Sequence, residues 1–319
     1  MAMEDKIRLG ISTCLLGENV RYDGGHKLNR YLVNIVGSFV DWVPVCPEVE
    51  CGLPTPREAM HLVGKSDEPR LVTVKTGIDH TERMQTWSQK RLDELAKEEL
   101  CGFVFKTKSP SSGMRDIKLY TQEGMPYSKE GIGLFAKAFM ERFPLIPVED
   151  DGRLNDAGLR ENFIERVFVF KRWRDLLKKN RSRSGLVEFH TRHKLLIMAH
   201  SDPHLRELGK IVASPKATDF DSLLMSYVEC LMEGLKVKAT VNKNVNVLMH
   251  ILGYFKSQLS ADEKREMLQV IGHYHQHLVP LIVPITLLNH YVRKFQEPYL
   301  LKQYFLNPHP MELMLRNHV

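Results

Sequence analysis

Residues 7–27, "IRLGISTCLLGENVRYDGGHK", decide the fold, because a short apolar strand runs directly into a segment rich in turn residues. The same succession occurs at residues 35–46, which end in "FVDWVPVC", and at residues 101–106, "CGFVFK", which run into "TKSPSSG". Residues 80–100 place apolar side chains at helical spacing between charged ones. Strands separated by a helix predict an α/β domain built on a Rossmann-like sheet.

The second half of the chain has a different pattern. From residue 186 to residue 319, one amphipathic helical segment follows another, which predicts an all-α domain. A chain of 319 residues has room for two domains. We therefore expect an α/β domain at residues 1–150, a connecting helix and basic linker at residues 151–185, and an all-helical domain at residues 186–319.

Composition narrows the class of protein. No apolar run reaches the ~18 residues that a membrane span needs, and the N-terminus does not resemble a signal peptide. We expect a cytoplasmic protein without a membrane partner. The five cysteines would then serve metal binding, catalysis or burial rather than a disulfide framework.

Three sets of polar or sulfur-containing side chains follow the predicted strands. Cys14 follows the first strand, Cys46 and Cys51 follow the second, and the loop at residues 109–112 follows the third. Because ligands gather at the carboxyl ends of parallel strands, we expect these groups to share one pocket. Cys101 begins its strand and is expected in the core. Three thiols could hold a metal or a cluster with one open position, or simply line a small-molecule pocket.

Longer motifs distinguish these possibilities. The segments "STCLLGENVRYDGGHK", "VCPEVECGLPTPRE" and "KTKSPSSGM" closely resemble the thiouracil desulfidase family. In the helical region, "RHKLLIMAHS", "HILGYFK" and "PLIVPITLLNHYV" resemble the domain fused to it in tRNA 4-thiouridine desulfidases. The resemblance implies a four-iron four-sulfur (4Fe-4S) cluster held by three cysteines with one open iron. It also implies removal of sulfur from thiolated uracils.

The cluster ligands follow from this resemblance. Cys14 matches the cysteine of the family motif C-L-L-G, and Cys46 matches that of C-P-E. The third cysteine of the free-base desulfidases ends the motif S-P-S-C, where this chain has Ser112. We predict Cys51 as the third ligand, with another group left open as the alternative.

The chemistry indicates further residues. Water must attack the carbon of a thiocarbonyl group while a soft Lewis acid takes the sulfur. Glu48 is the predicted general base, with Glu50 as a second candidate, and Ser109 is predicted to orient water or relay a proton. The predicted substrate-binding residues are Asp23, Arg57, Lys106, Lys108, Ser111 and Ser112.

Residues 171–194, "KRWRDLLKKNRSRSGLVEFHTRHK", concentrate positive charge and contain two aromatic side chains. Such a segment is typical of a surface that contacts a phosphate backbone, although a solvated helix face followed by a linker has the same composition. We predict tRNA as the partner. The predicted RNA-binding residues are Lys171, Arg172, Arg174, Lys178, Lys179, Arg181, Arg183, Arg192 and Lys194.

Together these patterns predict a cluster-dependent hydrolase that converts 4-thiouridine in tRNA to uridine and releases sulfide. Two alternatives remain. One is a desulfidase of free thiouracil-type molecules, and the other is a non-catalytic RNA-binding protein with a degenerate cluster site.

Overall fold

The computed structural model describes residues 6–215 and 219–318. The chain divides into two units, Met1–Asn155 and Asp156–Val319. Among the helices that the structure describes, none is both long enough and apolar enough to cross a membrane.

The first unit is built on two sheets. Its strands are β1 Ile7–Ser12, β2 Val40–Val45, β3 Met60–Val63, β4 Arg70–Thr73, β5 Gly102–Phe105, β6 Ile117–Tyr120, β7 Pro126–Gly131 and β8 Val148–Asp150. Its helices are α1 Arg30–Asn34, α2 Pro47–Glu50, α3 Thr81–Lys97 and α4 Leu134–Arg142.

The first sheet has the order β2-β1-β5-β8, and every neighbouring pair is parallel. All four residues of β5 are buried, as expected for a central strand of a covered parallel sheet. Phe103 of this strand contacts Phe135 and Phe139 of α4. The predicted strands β1, β2 and β5 and the predicted α/β class are confirmed. At residues 35–46 the strand occupies only Val40–Val45, because α1 and a short 3-10 turn precede it.

The second sheet was not predicted from the sequence. Its order is β4-β3-β6-β7, with a parallel pair between β3 and β6 and antiparallel pairs on either side. Leu62, Leu71 and Leu119 of its strands form a core with Met84 of α3. Three of these strands have only four residues each, too few for alternation to be recognised in the sequence.

The second unit is helical, which confirms the predicted all-α class. Its helices are α5 Ala157–Lys179, α6 Arg183–His200, α7 Asp202–Val212, α8 Phe220–Lys236, α9 Val241–Tyr254, α10 Ala261–His275 and α11 Ile282–Phe295. Residues 151–185 were predicted as a connection, but α5 and the start of α6 lie within this unit. The reason is that α5 buries an apolar face, including Phe163, Val167 and Trp173, and the Trp173 ring stacks on Tyr227 of α8.

Candidate active site

A cavity of about 360 Å³ opens at the carboxyl edge of the parallel sheet. Cys14 reaches it from the 3-10 turn after β1, Cys46 from the end of β2, and residues 107–112 from the loop after β5. The strands are parallel neighbours in the order β2-β1-β5, so their following loops meet at one edge. The structure thus brings Cys14, Cys46 and the serine loop into one cavity, whereas Cys51, which was expected there too, is not among its lining residues. The volume lies in the range of small-molecule sites.

The two thiols in this cavity are shielded from water. Cys14 is buried, and burial raises the pKa of its thiol to about 11 even though Lys106 and Arg21 oppose the shift. Burial also raises the pKa of Cys46 above its ordinary value. Without a metal, both side chains therefore remain neutral thiols near pH 7. A soft cation would replace their protons and convert them to thiolate ligands.

Glu48 lies beside the thiols because α2 begins immediately after β2, with Pro47 in its first turn. Arg57 donates from Nε to Glu48 Oε2 at 2.8 Å and also from Nη2 to the same oxygen. Ser111 Oγ donates to Glu48 Oε1 at 2.8 Å. Both carboxylate oxygens therefore have fixed donors, and the side chain is held in one orientation towards the cavity.

The serine loop continues this chain of hydrogen bonds. The hydroxyl oxygens of Ser109 and Ser111 lie 3.0 Å apart, and the backbone N–H of Ser112 donates to Ser109 Oγ at 3.1 Å. Gly133 packs directly against this loop, since a Cβ there would lie 2.6 Å from the carbonyl oxygen of Ser111. The loop thus connects Ser109 through Ser111 to Glu48. Ser109 itself makes no direct hydrogen bond to the carboxylate among the contacts described for these residues.

Three predicted substrate-binding cations line the same cavity. Lys106 Nζ lies 3.0 Å from each carboxylate oxygen of Asp151, which follows β8. Lys108 is exposed and has a left-handed backbone with φ of 58°. Arg57 also lines the cavity, but its guanidinium donates hydrogen bonds to Glu48 and, at 2.9 Å, to the carbonyl oxygen of Val20. Contact of these side chains with substrate stays a prediction.

Asp23 is not among the residues that line the cavity. Its carboxylate accepts from the Gly25 backbone N–H at 3.1 Å and from Arg21 Nε at 3.3 Å. The Gly25 N–H and the Arg21 guanidinium lower the pKa of this exposed carboxyl group. Arg21 and Tyr22 line the cavity instead. In this structure Asp23 therefore closes the turn and contacts Arg21.

Cys51 and Glu50 also lie outside the residues that line the cavity. Cys51 Sγ donates to the backbone carbonyl of Glu48 at 3.3 Å, and its side chain packs against the core of the second sheet. The Glu50 carboxylate accepts from the Cys46 backbone N–H at 2.7 Å and pairs with Arg91 Nε at 3.2 Å. Glu50 therefore holds Cys46 in place rather than facing the cavity. The assignment of Cys51 as third ligand stays a prediction.

The donor set fits an iron-sulfur group at two positions. Cys14 and Cys46 supply soft ligands, and the buried residue Ser112 lines the same cavity. Within residues 6–215 and 219–318, no three or more His, Cys, Asp or Glu side chains are already arranged to hold a metal ion. The cavity therefore holds two of the three thiols that were predicted as ligands.

Several lining residues were not predicted. They are Ser12, Thr13, Arg21, Tyr22, Lys27 and Thr107. Arg21, Tyr22 and Lys27 belong to the turn-rich segment after β1, so the strand-end rule applied to every polar side chain would have found them. Asp151, the partner of Lys106, follows the fourth parallel strand and could have been found in the same way.

The basic segment of the second unit is less exposed than its sequence predicts. Lys178, Lys179, Arg181 and Lys194 are exposed, while the other five predicted RNA-binding residues are partly buried. Arg172 lies over the Tyr304 ring at 3.8 Å and donates to the Pro308 carbonyl.

Other members of the segment have local partners. Lys171 pairs with Asp175 at 2.6 Å, Arg181 pairs with Asp221, and Arg192 lies 3.8 Å from Glu188. Arg183 donates to the carbonyls of Ser214 and Pro215, and the Arg174 guanidinium lies over the Phe170 ring. These contacts stabilise the helices, so fewer of these cations are available to meet phosphate than the sequence predicts.

The geometry agrees with the similarity of the chain to known proteins. Residues 9–151 match the model of the 2-thiouracil desulfurase family, and residues 194–310 match DUF1722, a family of unknown function. The uncharacterized protein YbgA of Escherichia coli is 28% identical over 165 residues, which cover 51% of this chain and 98% of YbgA. The uncharacterized protein YbbK of Bacillus subtilis is 28% identical over 127 residues, which cover 38% of this chain and 83% of YbbK.

A solved structure of a [4Fe-4S]-dependent thiouracil desulfidase, TudS, is also similar. It is 28% identical, with a TM-score of 0.38, and the likeness covers 47% of this chain and 95% of that one. The family match spans β1 to the residue after β8, and so includes every strand that contributes to the cavity. The first unit of this chain is a member of the 2-thiouracil desulfurase family, fused to a DUF1722 domain.

Proposed function

We propose that the chain is an iron-sulfur-dependent desulfidase that converts 4-thiouridine in tRNA to uridine. The observation that carries the proposal is one cavity in which the thiols of Cys14 and Cys46 meet the Glu48 carboxylate and the serine loop. Membership of the first unit in the 2-thiouracil desulfurase family supports a thiolated uracil as the substrate class.

The reaction is a hydrolysis without net electron transfer. One water adds its oxygen to C4 of the base, the carbon-sulfur bond breaks, and sulfur departs as hydrogen sulfide. Glu48 accepts a proton from the attacking water, since its carboxylate lies in the cavity with fixed hydrogen-bond partners. The hydroxyl groups of Ser109 and Ser111 orient the water. They form one hydrogen-bonded chain with Glu48, along which the proton passes. Arg57 holds Glu48 in position.

Cys14 and Cys46 would hold the cluster, with Cys51 as the predicted third ligand. When bound, a cluster with an open iron supplies a soft Lewis acid for the departing sulfur. The Cys51 thiol faces the Glu48 carbonyl in this structure, so ligation would require its side chain to turn away from the core of the second sheet.

Two substitutions test the third position. If Cys51 is a ligand, Cys51→Ala lowers the iron content of anaerobically purified protein, and Ser112→Cys changes it little. If the third position lies at residue 112, Cys51→Ala leaves iron unchanged and Ser112→Cys raises both iron content and resistance to a chelator. The Ser112 side chain already lines the cavity, so the thiol would need no movement of the loop.

The proposed tRNA contact rests on the exposed lysines of the second unit. Lys179 at the end of α5 and Lys194 in α6 are exposed members of the basic segment. Recognition would depend on phosphates and shape, with one thiolated base presented to the cavity. Trp173 and Phe189 are buried in the helical core, so they are unavailable for stacking on bases.

The test combines iron content with loss of 4-thiouridine from bulk tRNA. Anaerobically purified parent protein should contain iron and desulfurise tRNA, whereas Cys46→Ala should do neither. Iron-loaded parent that leaves 4-thiouridine intact would overturn the proposal. A parent that purifies without iron and still binds RNA would identify the alternative of a non-catalytic protein with a degenerate site.

A free thiouracil-type base is the second candidate substrate, favoured by the family to which the first unit belongs. Lys179→Glu with Lys194→Glu distinguishes the two. For a tRNA substrate, the KM for tRNA rises and its dependence on salt weakens, while turnover of free 2-thiouracil is unchanged. Lys256→Glu with Lys302→Glu, the same charge change at other exposed positions, is the matched control. If free 2-thiouracil is the only base consumed, the second candidate replaces the first.

A further inference from the structure

The second unit encloses a larger cavity, of about 530 Å³, which the proposed desulfidase reaction does not use. It lies among the first turn of α5, the first turn of α9, the end of α10 and the C-terminal segment. Aliphatic side chains of Val241, Val279 and Leu281 form part of its wall, and the carboxyl groups of Glu161 and Glu165 form another part. Its volume lies within the range of small-molecule sites.

The two carboxyl groups share one guanidinium. Arg316 donates from Nη2 to Glu165 Oε1 at 2.8 Å and from Nε to Glu161 Oε1 at 3.2 Å. Its Nη1 donates to the carbonyl oxygen of Phe305 at 2.6 Å, so all three nitrogens are engaged. Glu165 has a second partner, since His200 Nε2 lies 3.1 Å from its Oε2. Glu161 is therefore more weakly paired than Glu165, since its hydrogen bond to Arg316 is longer and Glu165 also contacts His200.

The pKa values of Glu161 and Glu165 differ in the same sense as their hydrogen bonding. Burial and the neighbouring Glu165 charge raise the pKa of Glu161 to about 8, against an ordinary value of 4.5. Hydrogen bonding to His200 and the charge of Arg316 overcome the cost of burial and lower the pKa of Glu165 to about 2. The Glu161 carboxyl group therefore holds its proton more tightly than an ordinary glutamate, because the two neighbouring carboxyl groups share one guanidinium.

The ionisable groups around Glu161 come from every element that encloses the cavity. They are Asp156 and Glu165 of the α5 region, His200 of α6, Lys238 before α9, Tyr274 and His277 at the end of α10, and Arg316 and His318 of the C-terminal segment. Lys238 Nζ lies 3.8 Å from the Asp156 carboxylate, and His318 Nε2 lies 3.5 Å from Glu161 Oε2. Lys238 thus already has a carboxylate neighbour of its own.

Other lining groups can accept or donate to a ligand. Asn162 donates from Nδ2 to the Leu235 carbonyl at 2.9 Å, which leaves its amide oxygen as an acceptor. Tyr274 Oη accepts from Asn244 Nδ2 at 2.9 Å and keeps its own hydroxyl hydrogen to donate. The cavity therefore combines a carboxyl group without a full cationic partner, an amide oxygen and an aliphatic wall.

We propose that this cavity binds a small organic cation, a primary ammonium group on an aliphatic body, which pairs with Glu161. An ammonium group has three donors, and one of them can pair with the Glu161 carboxylate while the others donate to further acceptors in the cavity. The aliphatic body packs against Val241, Val279 and Leu281. An anion would meet the Glu165 carboxylate and the Glu161 carboxyl group instead, and a metal ion lacks a ready set of ligands among the described side chains.

The test is calorimetric titration of the full chain with n-butylammonium chloride, with n-butanol as the uncharged comparison. Binding of the cation should displace the Glu161 proton, so affinity should rise about tenfold per pH unit below the Glu161 pKa and level off above it. Heats measured in buffers of different ionisation enthalpy should show about one proton released per ligand at pH 6 and almost none at pH 9. Butanol should bind at least about tenfold more weakly.

Three variants keep the test sharp. Glu161→Gln should weaken butylammonium binding about tenfold or more and remove its dependence on pH. Glu207→Gln makes the same change on the exposed surface of α7 and should leave the affinity for butylammonium and its pH dependence unchanged. Ala239→Leu narrows the cavity without altering a charge and should weaken binding while keeping the pH dependence. Absence of saturable binding by the parent, or equal binding by Glu161→Gln, would overturn the proposal.

Discussion

The cavities of the two units both contain carboxyl groups and cations, but they differ in whether each carboxyl group has a cation of its own. In the first unit Glu48 has its own arginine, Arg57, and Lys106 has its own carboxylate, Asp151. In the second unit Glu161 and Glu165 divide one arginine between them. Paired charges keep their orientation, whereas sharing one arginine raises the pKa of Glu161, one of the two carboxyl groups. The first arrangement suits a catalytic residue of fixed orientation, and the second suits a site whose charge changes with its occupant.

The strongest test of the first cavity removes a thiol. Cys46→Ala should abolish iron binding and reduce desulfuration to background, because one of the two soft ligands in the cavity is lost. Iron content and loss of 4-thiouridine are the measurements. Cys230→Ala, in α8 of the second unit, should retain both, since that thiol does not line the cavity. An iron-replete Cys46→Ala protein would refute the assignment.

Removal of the Glu48 carboxylate, the proposed general base, should have the next largest effect. Glu48→Gln keeps the size of the side chain but removes the base, so kcat should fall about 10²- to 10⁴-fold while iron content is retained. Glu50→Gln makes the same change two residues later, outside the cavity, and its effect on kcat should stay below about tenfold. Equal losses in the two variants would show that Glu48 has no special role.

The Arg57–Glu48 pair should matter for stability as well as orientation. The Arg57 side chain is 5% exposed and that of Glu48 is 14% exposed, so Arg57→Met leaves a buried carboxylate without its partner. We expect the free energy of unfolding of the first unit to fall by about 3 kcal/mol. Arg21→Met, which breaks a more exposed pair with Asp23, should cost less than about 1 kcal/mol. Denaturant unfolding measures the free energy of unfolding of both variants. Equal losses in Arg57→Met and Arg21→Met would contradict the predicted difference between the buried and the exposed pair.

The second cavity should give the smallest effect, a slope of stability with pH. Glu161 binds a proton more tightly in the folded state, so its contribution is fully present below about pH 4.5 and is lost as pH rises towards about 8. Glu165, with its pKa lowered to about 2, contributes above pH 4.5 and loses that contribution as pH falls towards 2.

Between pH 5 and pH 8, the free energy of unfolding of the second unit should therefore decline as the pH rises. Glu161→Gln should flatten this decline, and Glu207→Gln should preserve it. Thermal unfolding followed at several pH values provides the measurement. A decline that persists in Glu161→Gln would assign the titration to another group.

The sequence predicted the parallel sheet and its loops because apolar runs followed by turn residues mark strand ends directly. It could not predict the second sheet, whose four-residue strands become recognisable only when Leu62, Leu71 and Leu119 pack together. Cys51 was proposed from its distance along the chain to Cys46. The direction of its side chain depends on how α2 and its following turn pack against the second sheet, which spacing does not encode.

Charge partners were the other feature that the sequence could not supply. Arg57 was predicted to contact substrate, yet its partner Glu48 is nine residues away and meets it only after the intervening loop folds back. In the basic segment, Arg172 is held by Tyr304 and Pro308 from near the C-terminus. Composition identified the excess of cations, but which of them reach solvent depends on these long-range contacts.

The most direct test of the central claim follows the oxygen atom. Anaerobically purified, iron-loaded protein is incubated with 4-thiouridine-containing tRNA in water enriched in oxygen-18, and the nucleosides and released sulfide are quantified. The account predicts uridine carrying one oxygen-18, one sulfide for each 4-thiouridine lost, and product formation at least about 10²-fold slower with Glu48→Gln. Unchanged 4-thiouridine in the presence of iron-loaded parent protein, or uridine formed without the label, would contradict it.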